Sequence, residues 1–242
     1  MSRFYVPPEL VSKDRISLRG REAHHAKDVM RLKAKDEIVV FDGTGKEYEG
    51  IIDEIGRDEI VIKIKVIIEK KTGNFRLALA QAIPKLNKMD LIVEKATELG
   101  IERLIPIITE RTIAQTEVSR ALLKSERWKK LSVVAAKQCG RTSLPAINDI
   151  MKFKDSLSIV KDYELAVIAC LHKEAKRLRE ALENKVVKSA IVFIGPEGDF
   201  TEDEILMARS SGVVPVLLGE EILRSDTAAV SLLAVLNYAW RW

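Results

Sequence analysis

The sequence predicts an α/β protein with a small β-rich N-terminal part and a larger C-terminal part built on a mainly parallel sheet. Apolar and polar residues alternate at 60–66, which is typical of half-buried strands. From residue 75 onward, short apolar runs alternate with helix-length segments, which indicates a parallel sheet covered on both faces. A polar run at 70–74 separates the two patterns. We therefore predict domains at residues 1–72 and 73–242.

The N-terminal part is expected to form a small β-barrel. Strands are predicted at 39–41, 48–55 and 60–66. The first two flank Asp42-Gly43-Thr44-Gly45, a strong signal for a hairpin turn. One short helix is predicted at 22–31, after Gly20.

The C-terminal part is expected to alternate strands and helices. Strands are predicted at 77–80, 104–108, 165–169, 190–194 and 213–218, and helices at 87–99, 119–139, 174–182, 202–212 and 227–240. Asn87 is expected to cap the first of these helices, and Gly100 to end it. Thr201 and Glu204 have the spacing of a capping box. The last helix is apolar almost all round, which predicts burial in the core or in a subunit interface.

Two glycine-containing loops near the C-terminal end carry the most information about function. The first loop is Ile194–Phe200 and the second loop is Leu218–Ala228; each follows a buried apolar strand. Ligands of open α/β sheets bind at the carboxyl ends of strands, and glycine lets backbone groups approach a ligand closely. Because only about one strand–helix unit separates the loops, we expect them to leave neighbouring strands and to line one pocket.

Two side chains in these loops are the candidate catalytic residues. Glu197 is the carboxylate between the two glycines of the first loop, where it could accept bonds from ligand hydroxyls or amines. Arg224 carries a permanent charge in the second loop, and Ser225, Asp226 or Thr227 is expected to cap the last helix. The alternative interpretation is an ordinary strand-to-helix turn and a helix cap beside a surface arginine. The pairing of the two loops argues against it.

Charge and cysteine usage restrict the partners and the compartment. Residues 3–35 contain nine Lys or Arg against four Asp or Glu, and residues 111–141 contain eight against two. Segregated basic patches suit nucleic acid, although solvated lysine-rich faces give the same pattern. The sequence predicts no metal site, because it lacks a cluster of metal ligands and its two cysteines stand alone. It also lacks an apolar run of membrane-spanning length, and we expect a cytoplasmic protein.

Further motifs accompany the two loops in a characteristic order along the whole chain. They are His24-His25-Ala26, Val29–Leu32, Phe41-Asp42-Gly43, Gln81–Lys85, Met89–Gly100 and Thr109-Glu110-Arg111. Together with Gly195–Phe200 and Leu218–Ala228, they resemble the SPOUT methyltransferases that methylate uracil N3 of small-subunit (16S) ribosomal RNA. Asp226 stands where that family often has Glu, and Glu221 where it commonly has Arg. These departures concern single polar contacts.

The resemblance implies a PUA-like RNA-binding β-barrel followed by a SPOUT α/β domain with a deep trefoil knot. It further implies S-adenosylmethionine as cofactor, 16S ribosomal RNA or the small ribosomal subunit as substrate, and a homodimer formed by the C-terminal domain. The cofactor-binding residues it implies are Leu171, Ile194, Gly195, Pro196, Glu197, Gly198, Leu218, Gly219, Ile222, Leu223, Thr227 and Ala228. The candidate RNA-binding residues are Arg3, His24, His25, Lys27 and Arg31.

For methyl transfer to uracil N3, we expect Arg224 to stabilise the negative charge that appears on the carbonyl oxygens when N3 loses its proton. Glu197 or a water is expected to be the base. Two other functions stay open at this point. One is ribose 2′-O-methylation of RNA by another SPOUT enzyme, and the other is an RNA-binding ribosome assembly factor with a vestigial pocket.

Overall fold

The computed structural model describes residues 2–70, 73–86, 88–112 and 115–241, with the backbone only at 115–124. Their contacts divide the chain into two units. The first unit is Met1–Thr72 with Ala136–Leu144, and the second unit is Gly73–Ala135 with Pro145–Trp242. The sequence predicted a single boundary between residues 72 and 73. It gave no indication that residues 136–144, much later in the chain, belong to the first unit.

The first unit is built on a five-stranded sheet. Its strands are β1 (Arg3–Tyr5), β2 (Arg15–Arg19), β3 (Glu37–Phe41), β4 (Lys46–Ile55) and β5 (Glu59–Glu69), in the order β1-β3-β4-β5-β2. All neighbouring strands are antiparallel except β1 and β3. The alternation predicted at 60–66 is confirmed at the start of β5, where Ile60 and Ile62 are buried and Lys63 is exposed, but it does not extend to Val66, which is 46% exposed. The three strands predicted in this part lie within β3, β4 and β5.

The predicted hairpin turn between β3 and β4 is also confirmed. Gly43 and Gly45 have positive φ angles of 82° and 111°, which few residues besides glycine adopt readily. The Asp42 carboxylate accepts hydrogen bonds from the Thr44 N–H and from the Tyr48 hydroxyl, both at 2.8 Å. These bonds hold the turn to the strand that follows.

The helix predicted at 22–31 begins and ends two residues earlier in the chain and is less regular than expected. An α-helix, α1 (Gly20–His24), runs directly into one π-helical turn, His25–Val29. The Met30 N–H closes this turn on the His25 carbonyl at 2.9 Å, and Arg31 then leaves the turn with a φ angle of 54°. A left-handed residue at position 31 ends the helical segment.

The second unit is built on an eight-stranded parallel sheet. Its strands are β6 (Arg76–Ala82), β7 (Arg103–Ile108), β8 (Ala146–Ile147), β9 (Met151–Lys152), β10 (Leu165–Ala169), β11 (Lys176–Arg177), β12 (Ser189–Ile194) and β13 (Val214–Leu217). The order is β11-β13-β10-β12-β6-β7-β8, with β9 also paired to β7. The helices are α2 (Lys88–Glu98), α3 (Gln115–Cys139), α4 (Phe153–Ser156), α5 (Leu178–Leu182), α6 (Glu202–Ser210) and α7 (Ser225–Trp240). The strands predicted in this part are confirmed.

Helices cover both faces of this sheet, as predicted. Leu77 and Leu79 of β6 point into one core with α2 and α7. The intervening Ala78 and Ala80 belong to a second core with α4 and α6. Because successive side chains of a strand point to opposite faces, the two cores lie on opposite sides of the sheet. None of the helices in the described ranges is both long and apolar enough to span a membrane.

Three helix predictions need correction or qualification. The helix predicted at 174–182 is wrong in its first half, because Lys176–Arg177 pairs with β13 as an edge strand before α5 begins. None of Ser225, Asp226 and Thr227 caps the last helix: its N-cap is Arg224, which makes no side-chain capping bond. The predicted cap at Asn87 lies outside the described residues.

The remaining helix predictions agree better with the structure. The capping box of Thr201 and Glu204 is confirmed at the start of α6. In α7, Leu232, Leu233 and Leu236 are fully buried, whereas Tyr238 is 84% exposed. One face of α7 therefore lies in the core and another faces outward.

Gly100 follows α2 and lies against the Arg241 guanidinium, which binds the carbonyl groups at the end of this helix. Its φ angle is 76°, and a Cβ atom added there would overlap the Arg241 guanidinium, which donates to the Leu99 and Gly100 carbonyls at 3.0 and 2.7 Å. We expect Gly100→Ala to lower the free energy of unfolding by about 1 kcal/mol more than Gly212→Ala does in urea denaturation. Gly212 is a matched control, because its φ angle is 85° and its added Cβ would meet open space. Equal losses would contradict a capping role for Arg241.

Candidate functional site

A cleft of about 370 Å³ lies at the carboxyl ends of β10, β12 and β13. Residues of the first loop and of the second loop line it, which confirms that the two loops share one pocket. The expectation that the loops leave neighbouring strands is wrong, because β10 lies between β12 and β13 in the sheet. The residues that follow β10, Cys170 and Leu171, therefore complete the cleft between the two loops.

The cleft brings together most of the predicted cofactor-binding residues. Those that line it are Leu171, Ile194, Gly195, Pro196, Glu197, Leu218, Gly219, Ile222, Leu223 and Ala228, and Arg224 joins them. Gly198 and Thr227 are not among the lining residues. Other lining residues were not predicted to bind the cofactor, among them Lys88, Cys170, Asp199, Glu221 and Ser225. Asp199, Glu221 and Ser225 could have been found, because they lie inside the two loops.

The first loop is a tight turn whose shape depends on glycine. The Asp199 N–H donates to the Pro196 carbonyl at 3.0 Å and closes the turn. A Cβ atom on Gly195 would lie 3.1 Å from the ring of Phe200, which is itself buried against Phe153. Gly195 therefore lets the loop fold back onto the aromatic core and keeps its backbone at the cleft.

Gly198 faces away from the cleft, toward Arg111. A Cβ atom on Gly198 would lie 3.4 Å from the Arg111 side chain. The Arg111 guanidinium donates to the Gly198 carbonyl at 2.7 Å. In this conformation Gly198 lies on the side of the first loop that faces Arg111, and its carbonyl accepts the bond from Arg111.

Glu197 is bound to the chain that follows β6. The Lys88 ammonium donates to its Oε1 at 2.8 Å, and the Lys85 N–H lies 3.3 Å from both carboxylate oxygens. Partial burial raises the pKa of the Glu197 carboxyl, but the bonds from Lys88 and Lys85 outweigh this effect, and the net pKa lies below the ordinary value. A carboxylate with a lowered pKa is a weak proton acceptor and a good anchor for donors.

Ser225 ties the start of α7 to the first loop. Its buried hydroxyl donates to the Gly195 carbonyl at 2.7 Å and accepts from the Gln81 side-chain amide at 2.9 Å. This is why Ser225 does not cap its own helix. The chain of bonds from β6 to the second loop fixes two walls of the cleft relative to each other. Gln81 lies within one of the family-like motifs of the sequence. That motif does not reveal that the Gln81 side chain binds Ser225.

Arg224 presents a free cation at the cleft. Its residue is exposed and its backbone carbonyl accepts from the Ala228 N–H at 2.8 Å. Within the described part of the chain, its guanidinium has no hydrogen bond or ion pair. Its positive charge is therefore available to a ligand in the cleft.

Cys170 also lines the cleft, but its thiol is not reactive. Burial raises the pKa of the thiol to about 11. Because the thiolate is the nucleophile, a thiol with this pKa stays protonated and unreactive near neutral pH.

Among the basic residues of the first unit, Arg3 is not available to a phosphate. Its guanidinium is mostly buried, pairs with Glu47, donates to the Arg141 carbonyl at 2.9 Å and lies over the Phe41 ring. We therefore withdraw the expectation that Arg3 binds RNA. A charge that is already paired and buried inside the unit cannot contact a phosphate without breaking these interactions.

The other predicted RNA-binding residues lie on α1, its π-helical turn and the residues after them. His24 pairs with Asp28 at 2.5 Å, the His25 ring packs against Phe4, and the Lys27 ammonium lies 3.3 Å from the Gly56 carbonyl. Arg31 is exposed, and among the described residues its guanidinium has no partner. Of these four side chains, Arg31 is the one that contacts no partner among the described residues.

Comparison with known families agrees with this arrangement. A family model described as the RNA methyltransferase domain matches residues 71–237. A second model, described as the RNA methyltransferase PUA domain, matches residues 18–65. The predicted PUA-like and methyltransferase architecture is thus confirmed.

Individual relatives match along nearly the whole chain. Ribosomal RNA small subunit methyltransferase E of Rickettsia conorii is 31% identical over 239 residues, which cover 96% of this chain and 93% of that protein. The same enzyme from Neisseria gonorrhoeae, solved bound to S-adenosyl methionine, has a TM-score of 0.85 at 27% identity over 99% and 98% of the two chains. A methyltransferase from Legionella pneumophila, in complex with the bound cofactor SAM, has a TM-score of 0.86 at 27% identity over 98% and 97%. This chain belongs to the RNA methyltransferase family.

Proposed function

We propose that the protein is a methyltransferase that uses S-adenosylmethionine to methylate N3 of one uridine in 16S ribosomal RNA. The observation that carries the proposal is the cleft between the two loops, with the free Arg224 guanidinium at its edge. The relatives named as small subunit ribosomal RNA methyltransferases, and those solved with the methyl donor, support the substrate and the cofactor.

The residues of the cleft suit S-adenosylmethionine. Its volume of about 370 Å³ lies in the range typical of small-molecule sites, roughly 300–1,000 Å³. The side chains of Leu171, Ile222 and Leu223 offer apolar contact for an adenine ring, and Ile222 is 77% exposed at the edge. Gly219 has open space where a side chain would stand, so its backbone can meet the ligand. When bound, the cofactor supplies a methyl group activated by its sulfonium.

Arg224 is the residue to which we assign stabilisation of the reacting base. Uracil N3 becomes a good nucleophile only after it loses its proton, and negative charge then spreads to the carbonyl oxygens on either side. The positive charge of Arg224, carried at the start of α7, stabilises that charge as it develops. Because N3 is occupied in a Watson–Crick pair, the target must be unpaired or flipped out of its stack.

We place Glu197 at the cofactor and not at the proton transfer. The same carboxylate that binds Lys88 can also accept bonds from hydroxyl or amino groups of the methyl donor. Its lowered pKa makes it a poor base for the N3 proton. In this proposal the N3 proton leaves through a water molecule to a base in the bulk solvent.

RNA binding is assigned to the first unit and centred on Arg31, with His24, His25 and Lys27 beside it in sequence. We expect log Kd for RNA to rise linearly with log salt concentration, and Arg31→Ala to lower that slope by about 0.7–0.9, the loss of one phosphate contact. Fluorescence anisotropy with a labelled RNA fragment at several salt concentrations measures the slope. Lys13→Ala is the matched control, because Lys13 is exposed and outside this group. A slope that Arg31→Ala leaves unchanged would contradict the assignment.

The homodimer, the deep trefoil knot and the cytoplasmic location belong to the same proposal. Support for the homodimer comes from the outward face of α7, where Tyr238 is 84% exposed and Val235 is 41% exposed, and from Leu91 of α2 at 44%. Apolar side chains at this exposure suit a subunit interface. Light scattering of the purified protein measures the oligomeric state, and a monomer at micromolar concentration would contradict the dimer.

One experiment tests the proposed function as a whole. The protein is incubated with labelled S-adenosylmethionine and either deproteinised 16S RNA or small ribosomal subunits lacking the modification, and the modified nucleotide is mapped by mass spectrometry. We expect N3-methyluridine at one position. Label on a ribose 2′-oxygen would support the alternative SPOUT activity. RNA binding without any transfer of label would support the assembly factor.

A further inference from the structure

Three consecutive residues of the first loop each bind the chain that follows a different strand. Glu197 binds Lys85 and Lys88 after β6, and the Gly198 carbonyl binds Arg111 after β7. Asp199 binds the Leu171 N–H after β10. The first loop thus holds together the ends of several strands, and Asp199 is its connection to the wall formed by Leu171.

Asp199 has an unusual backbone conformation for a residue with a side chain. Its φ angle is 61°, in the left-handed region, where Asp and Asn are tolerated better than other non-glycine residues. In this conformation its two carboxylate oxygens serve two backbone donors. Oδ2 accepts from the Leu171 N–H at 2.9 Å, and Oδ1 accepts from the Phe200 N–H at 2.8 Å. Both are charge-assisted bonds, which are shorter and stronger than neutral ones.

The Leu171 N–H is the first backbone donor after β10 that does not bind a carbonyl of a neighbouring strand. The Cys170 N–H still donates to the Val216 carbonyl of β13, at 3.2 Å. The next N–H, that of Leu171, is satisfied by the Asp199 side chain. Leu171 itself is 57% exposed and lines the cleft. Its backbone position at the cleft therefore depends on a side chain of the first loop and not on the sheet.

We propose that Asp199 is a positioning residue that sets the affinity for the methyl donor by holding Leu171 at the wall of the cleft. This inference rests on the proposed function of the cleft. Asp199 acts through the backbone of the segment after β10, so it affects binding of the donor and not the methyl-transfer step. The Asp199 side chain needs two properties for this role, an acceptor for Leu171 and tolerance of the left-handed backbone.

Two substitutions separate these properties. Asp199→Gly keeps the left-handed backbone without strain but removes both acceptors. Asp199→Asn keeps an oxygen acceptor and tolerates the same backbone. We expect Asp199→Gly to raise the Kd for S-adenosylmethionine five- to tenfold in isothermal titration calorimetry. We expect Asp199→Asn to raise it no more than about twofold. At saturating donor, kcat and the KM for RNA are expected to stay at the wild-type values in both variants.

A second readout reports on Leu171 directly. Hydrogen exchange of the Leu171 amide, followed by NMR without ligand, is expected to accelerate in Asp199→Gly and to change little in Asp199→Asn. Asp203→Asn is the matched control, since Asp203 is an exposed acid four residues farther along, outside the cleft. It removes one negative charge and is expected to leave both readouts unchanged.

The outcomes keep this inference apart from the proposed function. If the wild-type protein does not bind S-adenosylmethionine, the proposed function of the cleft fails and the inference fails with it. If the wild type binds and Asp199→Gly binds equally well, or if Asp199→Gly lowers kcat at saturating donor and leaves the Kd unchanged, only the role of Asp199 is overturned. If Asp199→Asn weakens binding as much as Asp199→Gly, the hydrogen bond to Leu171 is not what matters, and the role is again overturned.

Discussion

Arg224→Ala is expected to slow methyl transfer by about 10²–10³-fold at saturating S-adenosylmethionine and RNA. The guanidinium is free of partners in the described structure, so its removal breaks no internal contact and exposes no buried charge. The loss falls on the step in which negative charge develops on the uracil oxygens. Single-turnover transfer of labelled methyl groups to 16S RNA measures this step without the contribution of product release.

Two comparisons make the Arg224 result specific. Arg224→Lys keeps a positive charge at the same helix start but loses the planar donor geometry, and we expect it to recover part of the rate. The Kd values for RNA and for S-adenosylmethionine, measured separately, are expected to change less than about threefold in Arg224→Ala. A wild-type rate in Arg224→Ala with unchanged affinities would exclude the charge-stabilising role.

The sequence predicted the parts of the fold that local patterns determine. The alternation in β5, the turn at Asp42–Gly45 and the capping box of Thr201 each depend on residues close together in the chain, and each is confirmed. The two loops were recognisable because two glycine-containing turns follow buried strands with only about one strand–helix unit between them. The glycine signal identified the two loops, and the family resemblance supplied most of the individual cleft residues.

Contacts between distant segments could not be predicted in this way. The position of β10 between β12 and β13 is set by strand pairing across the whole second unit. Ser225 resembled a helix cap, but its hydroxyl is used by the Gly195 carbonyl, thirty positions away in the chain. Arg3 resembled a surface base, yet it pairs with Glu47 inside the first unit. The Ser225 hydroxyl and the Arg3 guanidinium each had a plausible local role, but each binds a residue that is distant in the sequence.

The same reasoning applies to β11. The exposed residues Lys176 and Arg177 favour a helix as much as the residues after them do, but the free edge of β13 offers backbone partners at that point. Hydrogen bonds to an edge strand then outweigh a weak local propensity. Such an edge can be recognised only after the order of the strands is known.

Glu197→Gln is expected to raise the Kd for S-adenosylmethionine by about 10–100-fold and to leave kcat at saturating donor close to the wild-type value. The substitution removes the charge that pairs with Lys88 and weakens the acceptor for the ligand, and hydrogen bonds to charged groups contribute about 1.5–3 kcal/mol. Glu221→Gln is the matched control, because Glu221 is an exposed carboxylate that also lines the cleft. Calorimetry gives the Kd, and initial rates at saturating donor give kcat.

The pH dependence decides between binding and proton transfer for Glu197. Its pKa in the folded protein lies below the ordinary value of 4.5, so the carboxylate and its pairing with Lys88 persist above that pH and are lost only as the pH falls through the lowered pKa. Glu197 therefore stays ionised between pH 5 and pH 9, and its titration adds no limb to the profile of kcat in that range. We expect Glu197→Gln to give a profile of the same shape as the wild type. A base would behave differently: its removal would depress kcat at every pH and abolish an acidic limb, and that result would return Glu197 to the proton-transfer step.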